Sequence, residues 1–164
     1  MTQTALATEV LALARAQGVT IATAESCTGG LIIGALTEIA GSSDVVDRGF
    51  ITYSNAAKIE MLGILPATLN AHGAVSEPIA REMAEGALMR AGVGLAISVT
   101  GIAGPGGSEH KPEGRVCFGL AHTGKECRVE TVEFGALGRT HVRAATVAHA
   151  LNLLKAALVR TSQD

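Results

Sequence analysis

Apolar positions recur along this chain at two spacings, and the two alternate. Leu6, Val10 and Leu13 fall at helical intervals, predicting a helix over residues 4–17 that Gly18 ends. A continuous apolar run over 19–24 predicts a buried strand, and residues 31–39 predict a helix that stops near Gly41. Residues 45–53 are β-branched and aromatic, predicting a second strand, with a helix over 56–62 behind it. Ser76, Glu77 and Pro78 suit a helix start, and Ala80, Met83, Ala84, Ala87 and Leu88 then make one apolar face. Residues 95–99 predict a third short strand. Residues 115–121 and 126–134 predict a hairpin around Thr123-Gly124, and Val147, Leu151, Leu154 and Leu158 mark the stripe of a last helix starting near Arg139. The pattern predicts an α/β fold, a three-layer α/β/α sandwich with a mixed β-sheet, as one domain over residues 1–164 without repeat or linker.

Composition sharpens this in three ways. Hydrophobic residues make up 48% of the chain but aromatics only 2%, so the core must be built from Ala, Leu, Val and Ile, with little to stack on bases. A net charge of −2 without a basic run argues against a nucleic-acid surface. The three cysteines, Cys27, Cys117 and Cys127, are odd in number and scattered, so neither a disulfide framework nor a metal knuckle is expected, and no cofactor. The first 18 residues lack a basic start and a cleavage site. Residues 91–108 are uncharged, yet six glycines and Pro105 make them a strand plus loop rather than a membrane span. The expected address is cytoplasmic, with a small-molecule nucleotide as partner, no membrane, and self-assembly as a homo-oligomer.

Candidate chemistry centres on Ala24-Glu25-Ser26-Cys27-Thr28-Gly29-Gly30, between a strand and a helix. The first N–H groups of a helix lack intrahelical partners, so such a turn can bind an anion or hold a nucleophile against an oxyanion hole. An ordinary loop with Thr28 as N-cap is the alternative. Ser26 needs a base, and no histidine lies in either turn where polar residues cluster. Lys58 could serve if neutral, as in other Ser-Lys enzymes. At an ordinary lysine pKa only roughly one side chain in 2,500 is neutral at pH 7, so burial or a nearby cation would have to lower it. A solvated surface lysine is the competing reading. Arg139 and Arg143 stand one turn apart at a helix start, against the macrodipole, where an anionic ligand such as a phosphate would offset the cost. The alternative is two solvated arginines pointing apart. The glycine-rich loop after Thr100 could approach a ligand closely, act as a lid, or simply be solvated.

Two further patterns are set aside. Gly119-(x4)-Gly124-Lys125 resembles most of a P-loop, but Glu126 replaces the required Ser or Thr and no helix follows. Cys117 and Cys127 flank the hairpin turn. A two-residue loop would pair Leu120 with Cys127 and leave Cys117 on the opposite face, too far for a disulfide.

At these residues the chain resembles the CinA C-terminal domain family, the nicotinamide-nucleotide amidohydrolases, in stand-alone form. The resemblance rests on Thr23-Ala-Glu-Ser-Cys-Thr-Gly-Gly30, Gly49-Phe-Ile-Thr-Tyr-Ser-Asn55 with Lys58, Gly73-Ala-Val-Ser-Glu77 and Ser98-Val-Thr-Gly-Ile-Ala-Gly-Pro105, with weaker matches at Lys111-Pro112 and residues 135–143. It implies hydrolysis of nicotinamide mononucleotide to nicotinate mononucleotide and ammonia without a metal. It implies Ser26 as nucleophile and Lys58 as base, with Tyr53, Ser54 and Thr100 around them. As oxyanion or substrate contacts it points to Cys27, Thr28, Gly29, Gly30, Asn55, Gly101 and Arg139. Ser26 and Cys27 compete for the nucleophile's role. In an extended turn their side chains point to opposite sides, and the resemblance and the lysine favour Ser26. Glu113, where the family usually has an apolar residue, and Ala136-Leu137-Gly138, in place of a more polar approach to Arg139, depart from the pattern. Larger relatives carry the domain behind a second, cofactor-biosynthesis-like one with no counterpart in these residues. The other reading is a non-catalytic nucleotide-binding or interaction domain of the same fold.

Overall fold

The chain runs α1 (Gln3–Gln17), β1 (Ile21–Glu25), α2 (Leu31–Thr37), a 3-10 turn (Ser42–Asp44), β2 (Val46–Ile51), α3 (Asn55–Leu62), α4 (Pro66–His72), α5 (Glu77–Ala91), β3 (Leu95–Gly101), β4 (Arg115–His122), β5 (Arg128–Glu133) and α6 (Arg139–Gln163). This is a computed structural model, which describes the backbone of residues 1–163 and the side chains of residues 1–160. The five strands form one sheet in the order β2-β1-β3-β4-β5. β1 pairs in parallel with β2 and β3, while β3–β4 and β4–β5 are antiparallel, so the sheet is mixed. Helices α1, α2 and α6 cover one face, and α5, flanked by α3 and α4, covers the other. The α/β sandwich expected from the pattern is therefore the fold.

Local chemistry explains the boundaries. Thr2 caps α1, its Oγ1 accepting from Ala5 N at 3.1 Å, and Gly18 ends the helix in the left-handed region at φ 66°. That C-cap draws Val19 N onto Ala14 O at 2.9 Å, so β1 starts at Ile21 rather than at residue 19. Its last residue is Glu25, one beyond the apolar run. Helix α4 was not legible because it buries no residue and so carries no apolar stripe. The hairpin corrects the expected register: Leu120 pairs with Arg128, not Cys127, because the connection holds one more residue, closed by Lys125 N on His122 O at 3.0 Å. Cys117 then faces Thr131, and all three cysteines are free.

The larger core lies between the sheet and α1, α2 and α6, with Leu11, Ile21, Ile97, Phe118 and Leu154 in it. The expected stripe Val147, Leu151, Leu154 and Leu158 is fully buried there. Residues Arg139–Arg160 of α6 are long and apolar enough to cross a bilayer by length and composition, but here the stripe packs into the core. A smaller core, with Ala24, Leu62, Ile79 and Met83, lies under α5. That helix sits so close to β4 that a Cβ on Gly119 would lie 2.4 Å from Ala80 O. Only glycine fits there.

Candidate active site

β1, β2 and β3 are parallel and in register at their carboxyl ends, where Glu25 stands beside Ile51 and Val99. In open α/β sheets ligands bind outside these ends. Ser26 follows β1 there, its N–H donating to Val99 O at 3.1 Å. The alternation of β1 continues through the turn: Ile21 and Cys27 pack into the larger core, whereas Ala24 faces the α5 side. Ser26 therefore turns towards α3, and Cys27 packs behind it. Burial pushes the Cys27 thiol up to about 11, so it stays protonated at neutral pH.

The start of α2 does not wait for an external anion. The carboxylate of Glu25, fully buried, occupies it. Its Oε1 accepts from Thr28 Oγ1 (2.6 Å), Gly30 N (3.2 Å) and Ile32 N (2.9 Å). Its Oε2 accepts from Thr23 Oγ1 (3.0 Å) and Ile33 N (3.0 Å). The charge sits against the positive end of the helix dipole. Two expectations change as a result. Thr28 is not the N-cap; Gly30 holds that position at φ 108°, with no side-chain cap. Nor can Gly29 and Gly30 supply oxyanion donors, because Gly29 N donates to Ser26 O at 3.1 Å and Gly30 N to Glu25. Among the described residues, no other residue accepts from the N–H groups of Cys27 and Thr28, and that of Cys27 faces its own thiol. Arg143 is not a free cation either: its Nε donates to Cys27 O (3.1 Å) and its Nη2 to Thr28 O (3.2 Å), fixing the turn from behind.

Lys58 comes from the first turn of α3. Ser54 starts that helix, its Oγ accepting from Ala57 N at 3.0 Å, so Ser54 serves as an N-cap and not as part of the cavity wall. Lys58 is 1% exposed, and its Nζ donates to Ser26 Oγ at 2.9 Å, to Thr52 O at 2.8 Å and, more weakly, to Tyr53 O at 3.4 Å. Desolvation by burial lowers its pKa from 10.5 to about 8. In the neutral amine the two carbonyls take both N–H groups, and the lone pair is left for the Ser26 hydroxyl proton.

A cavity of about 230 Å³ opens in front of this pair. Ser26, Cys27, Tyr53, Asn55, Lys58, Thr100, Gly101 and Arg139 all line it, together with Ala74, Val75 and the loop residues Ile102, Ala103, Ser108 and Glu109. Thr28, Gly29, Gly30 and Ser54 do not. Thr100 holds the far wall, donating through Oγ1 to Ala74 O at 2.8 Å. Arg139 spans the mouth: Nη1 donates to Gly104 O at 2.7 Å and Nη2 to the Tyr53 hydroxyl at 2.8 Å. A larger recess of about 440 Å³ between α1, α2 and α6 has no serine, cysteine, histidine or lysine in its lining. Sequence reasoning missed Glu25 and Arg143 as organisers of the turn. A carboxylate directly before a serine at a strand end was the available signal for the first.

Comparison with known proteins fixes the class. The CinA C-terminal domain model matches residues 3–158, and the chain belongs to that family. The nicotinamide-nucleotide amidohydrolase PncC of Enterobacter agglomerans is 56% identical over 129 residues, covering 78% of this chain and 77% of that protein. A CinA-like protein of Chlorobium phaeobacteroides is 57% identical over 125 residues, 74% of this chain but 30% of its own length. The chain thus spans about a third of the longer curated relatives it matches. The crystal structure of competence/damage inducible protein CihA from Agrobacterium tumefaciens superposes with a TM-score of 0.91 at 50% identity, over 95% of this chain and 94% of that one.

Proposed function

We propose that this protein is a nicotinamide-nucleotide amidohydrolase that converts nicotinamide mononucleotide to nicotinate mononucleotide and ammonia, with Ser26 as nucleophile and Lys58 as general base. One observation carries the reading: the 2.9 Å contact between Lys58 Nζ and Ser26 Oγ, made by a lysine whose burial lowers its pKa to about 8. A pure binding domain gains nothing from a buried amine held against a hydroxyl. At pH 7 such a lysine is neutral in roughly a tenth of molecules, roughly two- to threehundredfold more than an ordinary one.

Lys58 takes the Ser26 proton as Oγ attacks the carboxamide carbon. The lysine then passes that proton to the amide nitrogen, which leaves as ammonia. Water attacks the resulting ester with Lys58 again as base, releasing the acid and restoring the hydroxyl. The N–H groups of Cys27 and Thr28 are the donors available to the oxyanion. The carboxamide and ring enter the cavity, and the phosphate stays at the mouth, where Arg139 meets it. Three free, buried cysteines fit a reducing, cytoplasmic setting for this activity.

The test is ammonia release from nicotinamide mononucleotide. Wild type turns over, Ser26→Ala does not, and Cys27→Ala keeps most activity. The reverse pattern reassigns the nucleophile, and no turnover by wild type removes the enzymatic reading.

A further inference from the structure

The glycine-rich loop between β3 and β4 and the approach to α6 are joined by one side chain that the reaction itself does not use. Glu113 Oε1 accepts from Gly106 N at 2.7 Å, and its Oε2 accepts from Gly138 N at 2.9 Å. Gly106 lies in the loop, while Gly138 immediately precedes Arg139, the first residue of α6. The carboxyl group also packs under Gly104, where a Cβ would come within 2.5 Å of the Glu113 Cδ. Gly104 is the residue whose carbonyl receives Arg139 Nη1 at 2.7 Å. Glu113 thus sets both ends of the Arg139 side chain: the backbone from which it starts and the carbonyl on which one arm rests. The other arm rests on Tyr53.

We propose that Glu113 is a positioning residue for substrate binding, clamping the loop to the start of α6 so that the Arg139 guanidinium is held at the cavity mouth to receive the anionic group of the substrate. This rests on the functional reading above only in taking Arg139 as the phosphate contact. Arg139 has five N–H donors in a fixed fork, so two can stay on Gly104 O and Tyr53 while others face the ligand. A guanidinium on a long, flexible stem binds an anion better when its orientation is fixed beforehand. Glu113 meets no reacting atom, so its loss acts on binding and not on the chemical step.

The experiment compares wild type, Glu113→Ala, Glu113→Gln, Arg139→Ala and the Glu113→Ala/Arg139→Ala pair, each with nicotinamide mononucleotide and with nicotinamide riboside, which lacks the phosphate. Glu113→Ala raises KM for the nucleotide by roughly three- to tenfold with kcat within about twofold, and leaves KM for the riboside unchanged. Glu113→Gln, which keeps one acceptor oxygen, falls between. In the Arg139→Ala background the Glu113 effect vanishes, as it must if Glu113 acts through Arg139. An equal loss on both substrates, or an effect that persists without Arg139, overturns the proposal. Amide exchange of Gly106 and Gly138 in the ligand-free protein supplies a readout independent of activity. Both speed up in Glu113→Ala, and unchanged exchange refutes the clamp. Absence of turnover by wild type would strike the functional reading instead, and the exchange measurement would still decide the clamp.

Discussion

Lys58 is the residue whose chemistry conflicts most with its surroundings. Its folded pKa of about 8 lies below the unfolded value of 10.5, so folding disfavours the charged form. The unfolded chain binds the extra proton between these two pH values, and stability therefore rises with pH across that window. Below pH 8 the full cost applies, about 3 kcal/mol from 2.5 pKa units. We expect wild type to gain up to about 3 kcal/mol on Lys58→Met between pH 8 and 10.5, measured by urea unfolding of both, because groups common to the two proteins cancel. A constant difference across that range would mean Lys58 is charged at no cost. The same group predicts that kcat/KM rises with pH up to about 8 and then levels. Ser26, Lys58 and Arg139 were legible because each is a chemically odd residue for its local setting: a hydroxyl before a glycine pair, and cations at helix starts. Glu25 was not, since a carboxylate in a strand reads as solvent-facing until its five donors are seen around it.

At the scale of elements, α2 is a short helix of seven residues whose start depends on Glu25. Removing that carboxylate strands buried N–H and hydroxyl donors and the helix dipole together. Glu25→Ala should cost about 3 kcal/mol in urea unfolding, and Glu25→Gln a smaller part, since one amide end faces donors with a donor. A loss below about 1 kcal/mol for Glu25→Ala would show that the turn reorganises without it. Helices with an apolar stripe and strands with apolar or β-branched runs were readable: α1, α5, α6 and the three parallel strands all stand near their expected places. Helix α4 and the hairpin register were not. The first has no fully buried residue, and the second depends on a single residue in a turn that Thr123-Gly124 made look shorter.

Across the whole molecule, one sheet carries the strand ends that hold Ser26, Thr52 and Thr100. The single tyrosine, in a chain without tryptophan, is Tyr53 at the cavity mouth. Tyr53 fluorescence and far-ultraviolet circular dichroism should therefore report coincident urea transitions, the site lost together with the sheet. A fluorescence transition at lower urea would mean the mouth opens as a separate unit. Order along the chain carries a further consequence. The proposed nucleophile and base both lie within residues 26–58, whereas the far wall at Thr100, the loop after it and the arginine at the mouth come from residues 100–139, with Ala74 and Val75 completing the lining. On the proposed reading, the reacting pair and most of the recognition surface are written in separate stretches of the polypeptide. Under that reading, changes in the second stretch would alter which substrates are accepted without touching the reacting pair.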